Sequence, residues 1–186
     1  MAYYTRQELN HFGFKHLGKN IKISKDAKIY EPENISIDDN SRIDDFCILS
    51  GSITIGKYVH ITPMCLIAGG KPGVILGDYS TLAYGVKIFS QSDDYSGKSM
   101  VNSLIPKEFK NEIFSPVTIE KHVIIGTNST IMPGVIIKEG CAIGAMTLVN
   151  KTTDSWYIYI GNPAKKLKPR SKNLLKLEYT FRQENL

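Results

Sequence analysis

Residues 119–149 read IEKHVIIGTNSTIMPGVIIKEGCAIGAMTLV, and a branched aliphatic residue returns at every sixth position of this stretch. The series is Ile119, Ile125, Ile131, Ile137, Ile143 and Val149. An amphipathic helix would space its apolar residues three and four apart, and a half-buried strand would alternate by two. A fixed short period is typical of a solenoid, whose repeats bury their apolar faces only against each other.

The same six-residue repeat occupies two earlier stretches of the chain. These are the series Ile37, Ile43, Leu49, Ile55, Ile61 and Ile67, and the series Leu76, Leu82 and Ile88. A small or β-branched residue follows most of these aliphatic residues by four, and Gly or Asp often follows directly, as suits a tight corner. Three short strands and three corners close one coil, so the sequence predicts an all-β parallel β-helix over residues 21–155.

The three cysteines fall on the small inward position of this repeat. Cys47, Cys65 and Cys141 each follow an aliphatic repeat residue by four. An odd cysteine count permits a reactive thiol, but a buried cysteine packs as a small hydrophobe. We therefore expect three structural thiols and no disulfide, in agreement with a reducing cytoplasm.

The repeat is interrupted in three places. The register slips around residues 32–35, three extra residues lie between Ile67 and Leu76, and residues 89–117 lack the repeat altogether. We expect a small bulge or loop at the second break and a long structureless loop, here called the excursion, at the third. Long loops in a compact domain are uncommon unless they serve function.

The two ends of the chain lie outside the repeat. Thr5 and Glu8 fit a capping box, which predicts a helix over residues 5–16 that Gly18 ends. The segment 156–186 is predicted to be an extension with an amphipathic helix. We expect a single domain, residues 1–186, with residues 1–20 as its N-terminal helical segment.

Composition restricts the cellular setting and the partners. The net charge is +5, no apolar run is long enough to span a bilayer, and the N-terminus lacks a signal-peptide core. We therefore expect a soluble cytoplasmic protein. The basic run near the C-terminus lacks interleaved aromatic residues, so nucleic-acid binding is not expected.

These features together resemble the hexapeptide-repeat acyltransferases. The repeat, the excursion and the ending GNPAK at 161–165 carry the resemblance over nearly the whole chain. It is strongest to sugar acetyltransferases of lipopolysaccharide and capsule pathways, through IDDF at 43–46, SDDYSG at 92–97 and KHVIIG at 121–126. The resemblance implies a left-handed coil, acetyl-CoA or another acyl-CoA as co-substrate, no metal, and a homotrimer with active sites between subunits.

The resemblance also implies where the chemistry occurs. In many of these acetyltransferases a His that follows the interrupted coil is the general base, and the matching place here, Gln91 to Asp93, holds none. If the acceptor is an amine, Asp93 or Asp94 orients it or takes its proton late, and the departing thiolate finally accepts that proton. Alternatively, the two carboxylates only cap the turn that follows them.

A hydroxyl acceptor would need another base. His60 is the candidate, because it sits beside a corner where a side chain can point into a cleft between subunits. An inert surface His is the alternative. Tyr84, Ser92 and Tyr95 are the predicted contacts to the acceptor.

The cofactor contacts are predicted by position along the later coils. Pantetheine would bond to backbone at the corners, and the matching residues are Gly126, Thr127, Gly144, Ala145 and Asn150. Small corner residues are also what the coil itself requires. Lys165 and Lys168, in the basic run, would meet the phosphates of coenzyme A unless that run is simply a solvated tail.

The prediction is therefore an acyl-CoA-dependent sugar acyltransferase. We favour N-acylation of a nucleotide-linked amino sugar in surface-glycan synthesis, with O-acetylation of a sugar hydroxyl as the alternative. A non-catalytic β-helix scaffold is a third possibility. The four histidines show no metal-ligand spacing, which argues against the metal-dependent, carbonic-anhydrase-like proteins of this fold.

Overall fold

The computed structural model describes residues 2–185, so Met1 and Leu186, the ends of the predicted segments, lie outside the described residues. Two α-helices flank a stack of short strands; they are α1 Arg6–Asn10 and α2 Leu174–Asn185. The strands are β1 His16–Leu17, β2 Lys22–Ile23, β3 Lys28–Ile29, β4 Ile35–Ile37, β5 Arg42–Ile43, β6 Ile48–Ile55, β7 His60–Ile61, β8 Leu66–Leu76, β9 Thr81–Leu82, β10 Lys87–Phe89, β11 Gln91–Ser92, β12 Ile113–Phe114, β13 Val117–Ile119, β14 Ile124–Ile125, β15 Thr130–Ile131, β16 Ile136–Ile137, β17 Ala142–Ile143, β18 Leu148–Val149, β19 Tyr157–Ile160 and β20 Lys165–Pro169.

Each coil contributes one strand in turn to each of three faces, and within each face the strands of successive coils pair in parallel. Face A contains β2, β5, β7, β9, β14, β17 and β19. Face B contains β3, the first halves of β6 and β8, then β10, β15 and β18, while face C contains β1, β4, the second halves of β6 and β8, then β13 and β16. We name the corners A/B, B/C and C/A after the faces they join, so corner B/C lies opposite face A. The left hand of the coil stays a prediction.

The core is the set of inward aliphatic columns that the repeat predicts. On face A, Ile43 is in register with Ile61, Ile61 with Leu82, and Leu82 with Ile125 across neighbouring coils. All four are fully buried. Burying one such side chain contributes about 1.5–3 kcal/mol to the free energy of unfolding.

The structural role predicted for the cysteines is confirmed. Cys47, Cys65 and Cys141 are buried free thiols inside the column. The Cys47 thiol donates to the carbonyl of Thr62 at 3.1 Å, and the Cys65 thiol donates to the carbonyl of Ala83 at 3.3 Å. These thiols therefore satisfy corner carbonyls from within the coil.

The predicted N-terminal helix is wrong in extent. The Thr5–Glu8 capping box is present, but α1 ends at Asn10, and residues 16–17 pair with β4 as the first strand of face C. A short isolated helix is marginal in water, so it persists only where Leu9 is buried against the coil. Strand pairing serves the remaining backbone better than a longer helix would.

All three breaks in the repeat meet at corner B/C. The first is a 3₁₀ turn at Pro32–Asn34, and the second is absorbed within β8, whose register shifts opposite Ser50 and Gly51. The prediction of a structureless excursion is wrong, because β11 pairs antiparallel with β12 and a 3₁₀ turn forms at Lys107–Phe109. This pairing satisfies backbone groups where the excursion leaves the coil.

The C-terminal segment extends the coil before it forms its helix. The predicted end of the coil at residue 155 is wrong, since β19 adds a further face A strand with Tyr159 in register with Ile143. The predicted C-terminal helix is confirmed as α2, which lies against corner C/A. There Phe181 packs edge-on against Tyr58 and Tyr79. Neither helix in the part of the chain that the structure describes is long and apolar enough to cross a membrane.

Candidate active site

The start of the excursion is anchored to the coil. The Ser90 hydroxyl, fully buried, donates to the carbonyls of Ala68 and Gly69 on β8. The amide of Ser115 donates to the carbonyl of Ser90 at 2.9 Å, where the excursion returns. Residues 92–95 therefore project from a fixed base, as a functional loop requires.

Asp94 caps the turn that follows it. Its carboxylate accepts from the amide and the hydroxyl of Ser96 and from the hydroxyl of Ser99, each at 2.8 Å. The hydrogen bond from the Ser96 amide is the main reason that the pKa of Asp94 lies below its usual value. The carboxylate is therefore ionised at neutral pH, and donors from Ser96 and Ser99 take up most of its hydrogen-bonding capacity.

Asp93 presents the freer carboxylate of the two. It is half-buried, and no side chain or amide among residues 2–184 bonds to its carboxylate. The Ser92 hydroxyl donates to the Asp93 carbonyl at 3.1 Å, and Tyr95 is 92% exposed. The structure thus places four predicted site residues on one turn at corner B/C, with Asp93 available to a ligand.

His60 belongs to a different constellation, centred on the buried Asp44. The Asp44 carboxylate accepts from Arg42 Nε at 2.6 Å, lies 2.9 Å from His60 Nε2 and accepts from the Tyr3 hydroxyl at 3.3 Å. Burial raises the pKa of Asp44, but the hydrogen bonds from Arg42 and His60 outweigh it and hold the pKa below its usual value. This cluster lies on face A, opposite corner B/C, so His60 does not meet Asp93 within one chain.

Sequence reasoning did not identify the role of Asp44. The available signal was register, because Arg42 and His60 pair across adjacent coils on face A. Asp44 follows Arg42 by two residues and so lies on the same face. Its side chain is only 2% exposed.

The predicted cofactor residues lie mainly at corner A/B. Gly126, Thr127, Gly144 and Ala145 form the later turns of that corner, and Tyr84 stands exposed on an earlier turn. A Cβ at Gly126 would lie 2.5 Å from the Ala145 amide nitrogen, and one at Gly144 would lie 2.8 Å from Ile160. Coil stacking therefore requires Gly126, whose Cβ would meet backbone, whereas a Cβ at Gly144 would meet only the side chain of Ile160 closely. Asn150 is exposed and follows β18 into corner B/C.

The basic run forms β20, which pairs antiparallel with β19 at the end of face A. Lys166 is paired with Asp154 and lies over the Tyr157 ring at 4.2 Å. Lys165 and Lys168 are exposed and form no ion pair within residues 2–184. Both ammonium groups are therefore free to meet an anion.

The part of the chain that the structure describes contains no cluster of metal-ligating side chains. No group of three His, Cys, Asp or Glu side chains there could hold a metal ion.

Comparisons with known proteins agree with this architecture. The family model for the bacterial transferase hexapeptide (six repeats) matches residues 116–151. The chain is 43% identical over 185 residues to the dTDP-4-amino-4,6-dideoxy-D-glucose acyltransferase of Escherichia coli, covering 98% of this chain and 96% of that protein.

Solved structures share the whole fold. The crystal structure of AntD, an N-acyltransferase from Bacillus cereus, in complex with dTDP and 3-hydroxybutyryl-CoA, matches with a TM-score of 0.97 and 43% identity. The match covers 99% of this chain and 98% of that chain. A hexapeptide-repeat acetyltransferase from Vibrio cholerae has the same fold at a TM-score of 0.62 and 21% identity, covering 90% and 80% of the two chains. The chain therefore belongs to the hexapeptide-repeat acyltransferase family.

Proposed function

We propose that this protein is a cytoplasmic acyl-CoA-dependent N-acyltransferase that acylates the amino group of a nucleotide-linked amino sugar in surface-glycan synthesis. The observation that carries the proposal is the Asp93 carboxylate, which has no partner among residues 2–184 and lies in the stretch Gln91 to Asp93, where the family resemblance places a His and this chain has none. The similarity to an E. coli protein named for acylating a dTDP-linked amino sugar supports the same acceptor class.

The chemistry suits a carboxylate without a histidine. A neutral amine attacks the thioester carbonyl carbon and forms the C–N bond before it loses a proton. Asp93 accepts a hydrogen bond from the amine and so orients it, while Asp94 holds the turn and adds negative charge. The C–S bond then breaks, the nitrogen loses its proton, and the departing thiolate takes that proton to give an amide and free coenzyme A.

The acyl donor is proposed to reach the amine from a neighbouring subunit of a homotrimer. Asp93 lies at corner B/C, whereas most of the predicted coenzyme A contacts lie at corner A/B, with face B between them. Corner A/B also exposes an apolar ridge that is 57–69% accessible along its length and consists of Phe46, Met64, Tyr84 and Met146. A row of exposed apolar side chains, interrupted here by Asn128, is typical of a contact surface.

The decisive experiment combines thiol release with product chemistry. The protein is incubated with acetyl-CoA and dTDP-4-amino-4,6-dideoxyglucose, free thiol is followed over time, and the product mass is measured before and after mild alkali. We expect thiol release that depends on the sugar and an alkali-stable gain of one acetyl group. An alkali-labile product would indicate an ester and an O-acyltransferase. Absence of both turnover and coenzyme A binding by calorimetry would instead support the scaffold.

The O-acetylation alternative depends on the Asp44–His60 pair. A carboxylate that bonds one ring nitrogen of a His orients the ring and supports it as a base. The pair would have to face the cleft made by another subunit. Under that alternative, His60→Ala lowers kcat by about 10²–10⁴-fold, as for loss of a general base.

A further inference from the structure

A cavity lies at corner B/C. Its volume is about 820 Å³, and its walls come from all three breaks in the six-residue repeat. Glu31 and Asn34 come from the first break, Gly70 and Lys71 from the second, and Gln91, Lys107 and Phe114 from the excursion. Regular corners stack at the strand spacing of about 4.8 Å and leave no such space. The breaks are far apart in sequence, yet they line one space.

We propose that this cavity binds the nucleoside diphosphate of the acceptor, with the diphosphate between Lys71 and Lys107 and the base on Phe114. The inference deepens the proposed function, because it assigns the part of the same substrate that does not react.

The charges at the cavity suit a diphosphate. Lys71 and Lys107 are both exposed, come from different segments and face one space. Neither ammonium has a carboxylate partner within residues 2–184. Two unpaired ammonium groups converging on one cavity are natural ligands for phosphate oxygens, as charge-assisted hydrogen bonds are about twice as strong as neutral ones.

The remaining walls suit a nucleoside. Phe114 is 53% exposed, so its ring offers a face for base stacking. The amides of Asn34 and Gln91 can each donate to and accept from the edge of a pyrimidine. The Glu31 carboxylate can accept from a sugar hydroxyl or an imide N–H, and it would disfavour a phosphate placed beside it. The diphosphate is therefore assigned to the lysine side of the cavity.

The position of the cavity matches the proposed chemistry. Gln91 lines the cavity and precedes Asp93 by two residues, so the two Cα atoms are within about 7 Å of each other. Gly70 lies directly against the Gln91 side chain in this wall, since a Cβ on Gly70 would lie 2.6 Å from the Gln91 amide oxygen. A sugar attached to a diphosphate in this cavity can therefore present its amino group to Asp93.

The test is calorimetric titration of the full chain with dTDP alone. We expect Lys71→Ala and Lys107→Ala each to raise the Kd for dTDP by about tenfold or more, as for one lost charge-assisted hydrogen bond. Lys71→Arg, which keeps the charge, should change it by less than about threefold, and Phe114→Ala by about five- to tenfold. Lys57→Ala, at the exposed corner C/A, is the matched control and should leave it unchanged.

Turnover separates this proposal from the proposed function. If wild type acylates the amino sugar but Lys71→Ala and Lys107→Ala bind dTDP as wild type does, the cavity assignment is wrong and the function stands; a neighbouring subunit would then fill the cavity. If wild type binds dTDP with the expected losses but never acylates the sugar, the assignment stands and the function is wrong. Absence of dTDP binding by wild type overturns the assignment outright.

Discussion

Corners A/B and B/C border the same face of the coil, yet they are built in opposite ways. From the second turn onward, corner A/B repeats one backbone solution, with a left-handed residue in each turn; these residues are Phe46, Met64, Gly85, Asn128 and Met146. At corner B/C the three breaks give each of several turns a different shape. Where the repeat is regular, coil packing requires small residues at the corners. Where the repeat is interrupted, packing does not restrict the residue types, so functional side chains can occupy these positions.

The largest effect is expected on stability, inside the regular coil. Ile125→Ala should lower the free energy of unfolding by about 2–5 kcal/mol, because Ile125 is fully buried and its removal leaves a cavity. Leu104→Ala is the matched change in the excursion, and it should alter the free energy by less than about 0.5 kcal/mol because Leu104 is 90% exposed. Chemical denaturation measures both. Equal losses of unfolding free energy in the two variants would contradict the distinction between the packed coil and the exposed excursion.

The next effect is on rate, at the irregular corner. Asp93→Asn should lower kcat with an amino sugar by about 100-fold, since the carboxylate that orients the amine is lost. Asp94→Asn is the control of equal shape, and it should mainly raise KM, because Asp94 is occupied by Ser96 and Ser99. Steady-state kinetics separates the two. A larger fall in kcat for the Asp94 variant would show that Asp94, and not Asp93, orients the amine.

A smaller effect is expected at the end of the coil, where coenzyme A phosphates are proposed to bind. Lys165→Ala should weaken coenzyme A binding by about tenfold, the equivalent of about 1.4 kcal/mol, without changing kcat at saturation. Lys166→Ala removes a lysine already paired with Asp154 and should change the Kd by less than about twofold. Calorimetric titration with coenzyme A checks both variants, and equal losses would indicate a diffuse basic tail.

The smallest effect concerns pH and the Asp44 cluster on regular face A. Because the pKa of Asp44 is lowered in the folded state, its contribution to stability is present above the unfolded pKa of about 4. That contribution is lost as the pH falls through the lowered folded pKa. Asp44→Asn should lower Tm at pH 6 by about 2–4 °C, as for loss of about 1 kcal/mol, and the difference from wild type should shrink toward pH 3. A constant difference across this range would contradict the assignment.

The regular part of the molecule was predictable from sequence because one physical rule governs it. Each aliphatic repeat residue must stack on its neighbour one coil away, so the columns, the buried cysteines and the corners follow from spacing alone. The C-terminal helix followed from its apolar pattern. The convergence of the three breaks at one corner follows from the same register, since each break lies between a face B residue and a face C residue.

The irregular part depends on contacts distant in sequence, and it could not be predicted in the same way. The β11–β12 pair joins residues more than twenty positions apart in the sequence, and no local sequence pattern predicts this pairing. The helix predicted over residues 5–16 is shorter in the structure because β1 pairs with β4. The Asp44 cluster needed Arg42, His60 and Tyr3 to converge from three segments. Propensity cannot report such convergence.

The central claim is that the irregular corner B/C delivers an amine to the thioester. Its most direct test compares kcat/KM for dTDP-4-amino-4,6-dideoxyglucose with kcat/KM for the congener that carries a hydroxyl at the same carbon, at saturating acetyl-CoA. We expect a preference for the amine of about 10³-fold or more, because no histidine among the described residues lies at corner B/C to activate a hydroxyl, whereas an amine attacks before it loses its proton. Equal values for the two sugars, accompanied by loss of activity in His60→Ala, would contradict the claim.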